Sequence, residues 1–273
     1  MSRSRIALLS AIILLVAAIS GLSGYMYGEK VAEERFIADN PSSATAIKSK
    51  LAKVKPGAGA REATPRPDGT YNATIQGPGG ELKTKEDIIK VHRRNAEDPF
   101  AIGAIDAPVV ISEFSDFECP FCARYSTQTE GKIMQDYVEK GLVRIEWNDL
   151  PINGPHAVAA AKAGRAAAEQ GKFHEFKEAL FAEAATKNGH PEFGDADFER
   201  FAQKAGVPNM EKFKADAKSN KYDAAIEQAT QYGSSIGITG TPGFLIGTKF
   251  IAGAQPVEAF ETAISEQLAA TVQ

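Results

Sequence analysis

Apolar residues are distributed very unevenly along this chain. From Ile6 to Gly28 they run without a charged residue, most densely up to Ile19, and at about 1.5 Å of rise per residue the run can cross a hydrocarbon core of roughly 30 Å. Glu29 to about Ile47 is mixed and reads as a helical continuation that Asn40-Pro41 stops. From Lys53 to Gly80 the chain is rich in Gly, Pro, Ala, Thr and Lys, too poor in large apolar side chains to fold alone, and it reads as a tether. Asn72-Ala73-Thr74 within it matches a glycosylation acceptor, but so short a match is read as an ordinary linker asparagine.

Beyond Thr84 the periodicities of helix and strand alternate. Thr84 reads as the N-cap of a short helix through about Arg94, carrying Ile88, Ile89 and Val91. Asp98-Pro99 ends it, and the β-branched and aromatic run Val109 to Phe114 predicts a strand. A helix with Ile133, Met134, Tyr137 and Val138 at helical spacing comes next and stops at Gly141. Leu142, Val143, Ile145 and Trp147 predict a second strand, parallel to the first across a right-handed crossover. A long helical stretch runs from about Pro155 to Thr230: an alanine-rich first helix that others can approach closely, then Phe173, Phe176, Leu180 and Phe181 on one face, then Phe198, Phe201 and Ala202. These aromatic stripes read as core. Strand returns at Gly243 to Ile246, turns at Gly247-Thr248, continues through Phe250 to Ala252, and a helix from about Val257 to Ala269 closes the chain.

Composition changes this picture little. A 43% hydrophobic, 24% charged chain with net charge −4 is ordinary globular material, and nothing basic enough to bind nucleic acid is present. Arg3 and Arg5 ahead of the apolar run fit an anchor whose N-terminus is cytoplasmic, with everything beyond Glu29 outside the membrane. The alternative is a leader cleaved near Ala18-Ile19-Ser20 or Gly21-Leu22-Ser23. Either way the remainder is exported.

Export gives the cysteines their meaning. The only two, Cys119 and Cys122, flank Pro120-Phe121 where the first strand runs into a helix. A bridge closing so short a loop constrains the unfolded chain very little, so a staple is a poor reading. A helix N-terminus favours an anionic sulfur on Cys119, and Pro120 sits where its missing N–H costs nothing. Cys122, deeper in the first turn, can reach back and release a mixed disulfide. A zinc half-site is the competing reading, but His92, His156, His174 and His190 are scattered without paired spacing; inert buried cysteines are the other. No metal and no cofactor are expected.

The segment F-S-D-F-E-C-P-F-C resembles the active-site segment of DsbA-like thiol:disulfide oxidoreductases. D-P-F-A-I-G-A-I-D-A-P before it, G-P-H-A-V-A-A-A-K-A-G-R-A-A-A-E-Q-G-K-F and G-I-T-G-T-P-G-F-L-I-G after it match the family in order, over about Asp98 to Leu268. The resemblance implies an α/β thioredoxin-like fold with an inserted α-helical domain. It also implies that Thr241-Pro242 is the family's cis-proline loop, Pro242 lying against the disulfide and Thr241, with Pro120 and Phe121, meeting substrate as an added strand. It places Glu113 as a buried acid able to exchange protons with Cys122.

One departure bears on direction. Strongly oxidising members carry Pro-His between the cysteines; here Phe121 replaces the imidazole, and Glu118, if it points inward, opposes a thiolate on Cys119 and tunes the couple toward reduction. The architecture expected is an anchor over 1–28, a flexible extracytoplasmic linker over 29–83 and a catalytic domain over 84–273 with its helical insertion at about 155–230. The expected activity is dithiol oxidation of exported cysteine-containing proteins by a monomer, reoxidised by a quinone-linked membrane protein of the DsbB or VKOR kind. A reductase or isomerase on the same fold, and a non-catalytic envelope module binding unfolded segments or metal, are the alternatives.

Overall fold

The computed structural model describes residues 41–79 and 82–272. The apolar run expected as an anchor lies outside them, and among the described residues no helix is long and apolar enough to cross a membrane. Internal contacts divide the chain into Met1–Ala52 and Lys53–Gln273. The described part of the first unit is helix α1 (Pro41–Leu51), with Lys48 and Lys50 in its last turn. Pro41, expected to stop a helix, opens this one, since proline lacks only an N–H that the first turn leaves unpaired.

The second unit is built on a five-stranded sheet in the order β1-β3-β2-β4-β5. Strands β2 (Val109–Ser115) and β3 (Val143–Asp149) are fully buried and pair in parallel, as the strand-helix-strand pattern predicts. Strand β4 (Gly243–Ile246) runs antiparallel to β2 and forms a hairpin with β5 (Lys249–Ala252) through Gly247-Thr248, with Gly247 at φ +54°. Strand β1 (Ala101–Ile102) adds an edge that two residues of pattern could not announce. The Thr84 cap is real, closed reciprocally by Asp87, but helix α2 (Lys85–Ile89) ends short of the expected Arg94. Arg94 sits at φ +43°, and its backbone N–H and that of Arg93 instead reach the Glu146 carboxylate at 2.8 and 2.7 Å.

Helix α3 (Pro120–Tyr125) continues through a π-helical turn (Ser126–Glu130), α4 (Gly131–Ile133) and a second π-helical turn (Met134–Val138), every junction residue keeping right-handed helical backbone. Gly141, at φ +73°, turns the chain into β3. The insertion comprises α5 (Pro155–Ala168), α6 (Phe173–Ala184), α7 (Asp195–Lys204), α8 (Met210–Lys218) and α9 (Asp223–Ser235), and α10 (Val257–Ala270) closes the fold. The alanines of α5 do what small side chains allow: a Cβ on Gly164 would stand 2.9 Å from the Phe117 ring. Phe117 stacks on Trp147 at 4.9 Å and meets Phe173, Phe176 and Phe181. The predicted aromatic stripe is therefore the joint between insertion and sheet, directly behind the cysteine loop.

Within the stretch expected as a flexible linker over 29–83, residues 57–77 run hydrogen-bonded along the domain. Gly57 N–H donates to the Gly141 carbonyl at 2.9 Å, and Ala58 and Gly59 donate to the Asp106 carboxylate at 3.1 and 2.7 Å. Tyr71 N–H reaches the Glu169 carbonyl, and Arg165, 2% exposed and paired with Asp149, donates to the carbonyls of Ala73 and Ile75. The small residues permit close approach: a Cβ on Gly57 would meet Asp106 at 2.6 Å, and one on Gly77 would meet the Tyr232 ring at 2.0 Å. Backbone groups hold this strap, which is why a reading based on apolar side chains missed it.

Candidate active site

Strand β2 ends at Ser115, and Asp116 shapes the loop that leads to the cysteines. One carboxylate oxygen accepts the Glu118 N–H at 2.9 Å, turning the chain, and the other accepts the N–H groups of Ile152 and Asn153 and the Asn153 amide, from 2.7 to 3.0 Å. This bolts the cysteine loop to the loop after β3. An aspartate two residues before the N–H it captures is a recognisable turn signal, which the sequence reading passed over.

Cys119 caps α3 with extended backbone, φ −81° and ψ 119°, and Pro120 takes the first helical position. The thiol of Cys119 donates to the Thr241 carbonyl at 3.3 Å, and the Thr241-Pro242 peptide is cis. The Cys119 thiol is pulled down to about 6, chiefly by the hydrogen bond from Cys122 and further by the Thr241 side chain and the N–H groups of Cys122 and Phe121, against the opposing effect of burial. Cys122, fully buried, is pushed well up, first by burial and then by its neighbour Cys119. Pairing in this sense gives one sulfur that ionises readily and one that keeps its proton.

Phe121 stands 54% exposed with the Arg124 guanidinium 5.1 Å over its ring. Arg124 reaches across to the Ala254 carbonyl at 2.8 Å. Phe121, Arg124, Thr241, Gln255, Pro256 and Val257 line a groove of about 610 Å³, while Cys119, bonded to the Thr241 carbonyl, is itself only 6% exposed.

Glu118 is buried, 1% exposed, with its carboxylate engaged by the loop at Glu192. One carboxylate oxygen accepts the Glu192 N–H at 2.9 Å and the other has no partner, while its main-chain carbonyl bonds His190 Nδ1 at 2.8 Å. Burial raises its carboxyl above the usual range, against the N–H groups of Glu192 and Phe193. Glu113 lies within β2 opposite Trp147 and Phe244, 1% exposed. Burial raises its carboxyl to about 7, with Lys177 pulling down and Glu130 pushing further up.

Cys119, Cys122, Pro120, Phe121, Thr241 and Pro242 are thus brought together, with both sulfurs and Pro242 buried and Phe121 exposed; Glu118 and Glu113 are buried in the same domain. Lys177 was not foreseen, although a lysine inside the Phe173-Phe176-Leu180-Phe181 stripe is itself a signal of a buried charge. The histidines have separate occupations: His92 with Ser112 and Gly247, His156 with Phe193, His174 with Ala101. Among the described residues no group of three or more His, Cys, Asp or Glu is placed to hold a metal ion.

A parallel β2-β3 pair flanked by an antiparallel hairpin, a C-P-x-C at the strand-to-helix junction and a cis proline facing it define a thioredoxin-type domain with a helical insertion. A family model described as thioredoxin matches residues 95–266, and one described as the DsbA N-terminal domain matches residues 32–91. The chain belongs to the thioredoxin family, among its DsbA-like proteins.

A periplasmic thioredoxin-like protein from Salmonella enterica serovar Typhimurium is 26% identical with a TM-score of 0.55, covering 69% of this chain and 99% of that one. The "Probable disulfide bond formation protein D" of Bacillus cereus is 26% identical over 146 residues, 52% of this chain and 67% of the relative. The Na(+)/H(+) antiporter NhaA 3 of Salinispora tropica is 30% identical over 169 residues, 61% of this chain but 24% of the antiporter. The chain thus spans about a quarter of the length of that antiporter.

Proposed function

We propose that this chain is a thiol:disulfide oxidoreductase of the cell envelope that passes the Cys119-Cys122 disulfide to exported cysteine-containing proteins. The observation that carries the reading is the opposed ionisation of the pair: Cys119 pulled down to about 6 beside Thr241-Pro242, Cys122 buried and pushed up. A substrate thiolate attacks Cys119 Sγ, the S–S bond breaks, and Cys122 leaves as a thiolate that takes up a proton. A second substrate thiolate then attacks the substrate sulfur of the mixed disulfide and releases Cys119 as the thiolate. The pair gains two electrons and the substrate gains one disulfide.

Phe121, Pro120 and Thr241 meet the substrate segment, which lies extended along the Thr241 backbone. The apolar run at 6–28 anchors the chain with residues 29–273 outside the membrane, and a membrane quinone-linked protein of the DsbB or VKOR kind reoxidises it; the periplasmic Salmonella relative and the Bacillus cereus disulfide protein support this location and role. Trapping tests the proposal. A Cys122→Ser variant is expected to accumulate mixed disulfides through Cys119 with exported proteins, and their absence would overturn it.

A second reading, disulfide reduction or isomerisation, draws on Phe121, whose ring offers a Cys119 thiolate no side-chain hydrogen bond. The equilibrium potential of the couple against glutathione separates the two. A value well below that of the envelope assigns the reducing direction.

A further inference from the structure

The groove beside the cysteines carries a cation that the protein itself does not neutralise. One wall comes from α3 and the π-helical turn after it, with Phe121, Arg124 and Gln128; the other comes from Thr241 and the approach to α10, with Gln255 and Pro256. Among the described residues Arg124 is the only charged side chain lining it. The contacts of its guanidinium are the Ala254 carbonyl and the Phe121 ring, and no carboxylate of the described residues pairs with it. Glu258, the acid in the first turn of α10, is no exception. The Gln255 amide donates to the Ala252 carbonyl at 2.9 Å and brings no charge.

Two contacts fix where that charge sits. Nη2 donates to the Ala254 carbonyl at 2.8 Å, and the guanidinium lies 5.1 Å over the Phe121 ring. A guanidinium presents a rigid fork of N–H donors, of which this bond uses one, and the rest can meet the oxygens of a carboxylate. The charge is also tied to the reacting atoms through its neighbours. Phe121 stands between the two cysteines, and the Thr241 carbonyl accepts the Cys119 thiol at 3.3 Å. A segment that brings its own cysteine to Cys119 along the Thr241 backbone therefore runs past Arg124. The sulfur does not need the guanidinium: the largest causes that hold the Cys119 thiol down are Cys122, Thr241 and the N–H groups of Cys122 and Phe121.

We propose that Arg124 is a specificity-determining residue that seats a carboxylate carried by the substrate segment beside its reacting cysteine, so that acidic segments are taken ahead of neutral and basic ones. The inference rests on the oxidoreductase reading and adds a substrate class to it. The thiol exchange itself is unchanged; Arg124 supplies a hold on the incoming chain before its sulfur attacks. Because Arg124 is exposed, the pair stays partly in water and acts as a well-placed surface ion pair. That corresponds to a preference of about fivefold at low salt, fading as salt rises. Phe121 serves twice, as apolar contact surface for the substrate and as the ring that keeps the guanidinium in place.

The test uses dithiol peptides of one sequence that differ only in carrying Glu, Gln or Lys beside both cysteines, oxidised by the full chain and compared at equal thiolate concentration. The parent is expected to show a KM about fivefold lower for the Glu peptide than for the Gln peptide, with the Lys peptide weakest and kcat alike for all three. Arg124→Gln should bring the KM values together, Arg124→Glu should invert their order, and Arg124→Lys should restore part of the preference. Because the reading is a ratio between peptides, any general effect of a substitution on the thiol chemistry cancels. Equal KM values in the parent, a preference that survives Arg124→Gln, or a difference confined to kcat overturns the proposal. Binding of the same peptides with serine in place of cysteine, read by fluorescence anisotropy, separates the two readings. A protein that oxidises no peptide would sink the oxidoreductase reading, while the ratio of Glu to Gln peptide binding would still decide the role of Arg124.

Discussion

Replacing Glu113 with glutamine is expected to change stability in a strongly pH-dependent way. The carboxyl is raised from 4.5 to about 7 in the folded protein, by burial first. Between those values the unfolded chain gives up the proton while the folded chain keeps it, so this group's contribution is fully present below about pH 4.5 and is lost as pH rises through about 7. A shift of roughly 2.5 units at about 1.4 kcal/mol per unit amounts to about 3.5 kcal/mol across the whole window. Glutamine carries no such term. The difference in unfolding free energy between Glu113→Gln and the parent should therefore drift toward the variant by about 2.5 kcal/mol from pH 5 to pH 8.5. Urea unfolding of both reduced proteins measures it, and at m-values of a few kcal/mol per molar the midpoints separate by about 1 M at the alkaline end. Thiol ionisations common to both proteins cancel in the difference. A separation constant with pH to within about 0.5 kcal/mol would refute the buried-carboxyl argument, whatever the enzyme does to disulfides.

Further outcomes concern the outer sulfur and its neighbour. The thiolate absorbance of Cys119 near 240 nm should titrate with a midpoint of about 6, and Cys122→Ala should move it upward toward 9, because the hydrogen bond from Cys122 is the largest cause of the depression; an unmoved midpoint would transfer that role to the helix end. Glu118→Gln should shift the Cys119-Cys122 couple toward the oxidising side, each roughly 30 mV corresponding to about 1.4 kcal/mol of thiolate stabilisation gained. Equilibration against glutathione reads that shift, and a move to the reducing side would show that Glu118 acts through its contact with the Glu192 loop instead of its charge.

The parts of the fold that a sequence exposes are those written in side-chain periodicity. Strands β2 and β3, the Gly247-Thr248 hairpin and the Phe173-Phe176-Phe181 stripe all derive from where apolar groups recur. The cysteines, Pro120 and Thr241-Pro242 were legible as motifs, the last of them only through family likeness. What stayed hidden is held by backbone polarity or by isolated charge. Residues 57–77 carry glycine and alanine because the chain runs close against Asp106 and Tyr232, and the same composition would serve a free linker. Ending α2 at Ile89 instead of Arg94 depends on Glu146, a carboxylate more than fifty positions away. Lys177 needed the insertion to be folded over the sheet before its partner could be known.

The strap also fixes where the cysteines stand relative to the point at which the chain joins the domain. Gly57 is hydrogen-bonded beside Gly141, at the end of the helical rod opposite Cys119, and that rod, at about 1.5 Å per residue from Pro120 to Val138, is roughly 27 Å long. Residues 57–77 are bound along the domain surface, so the chain enters the catalytic fold at the end of the rod away from the cysteines.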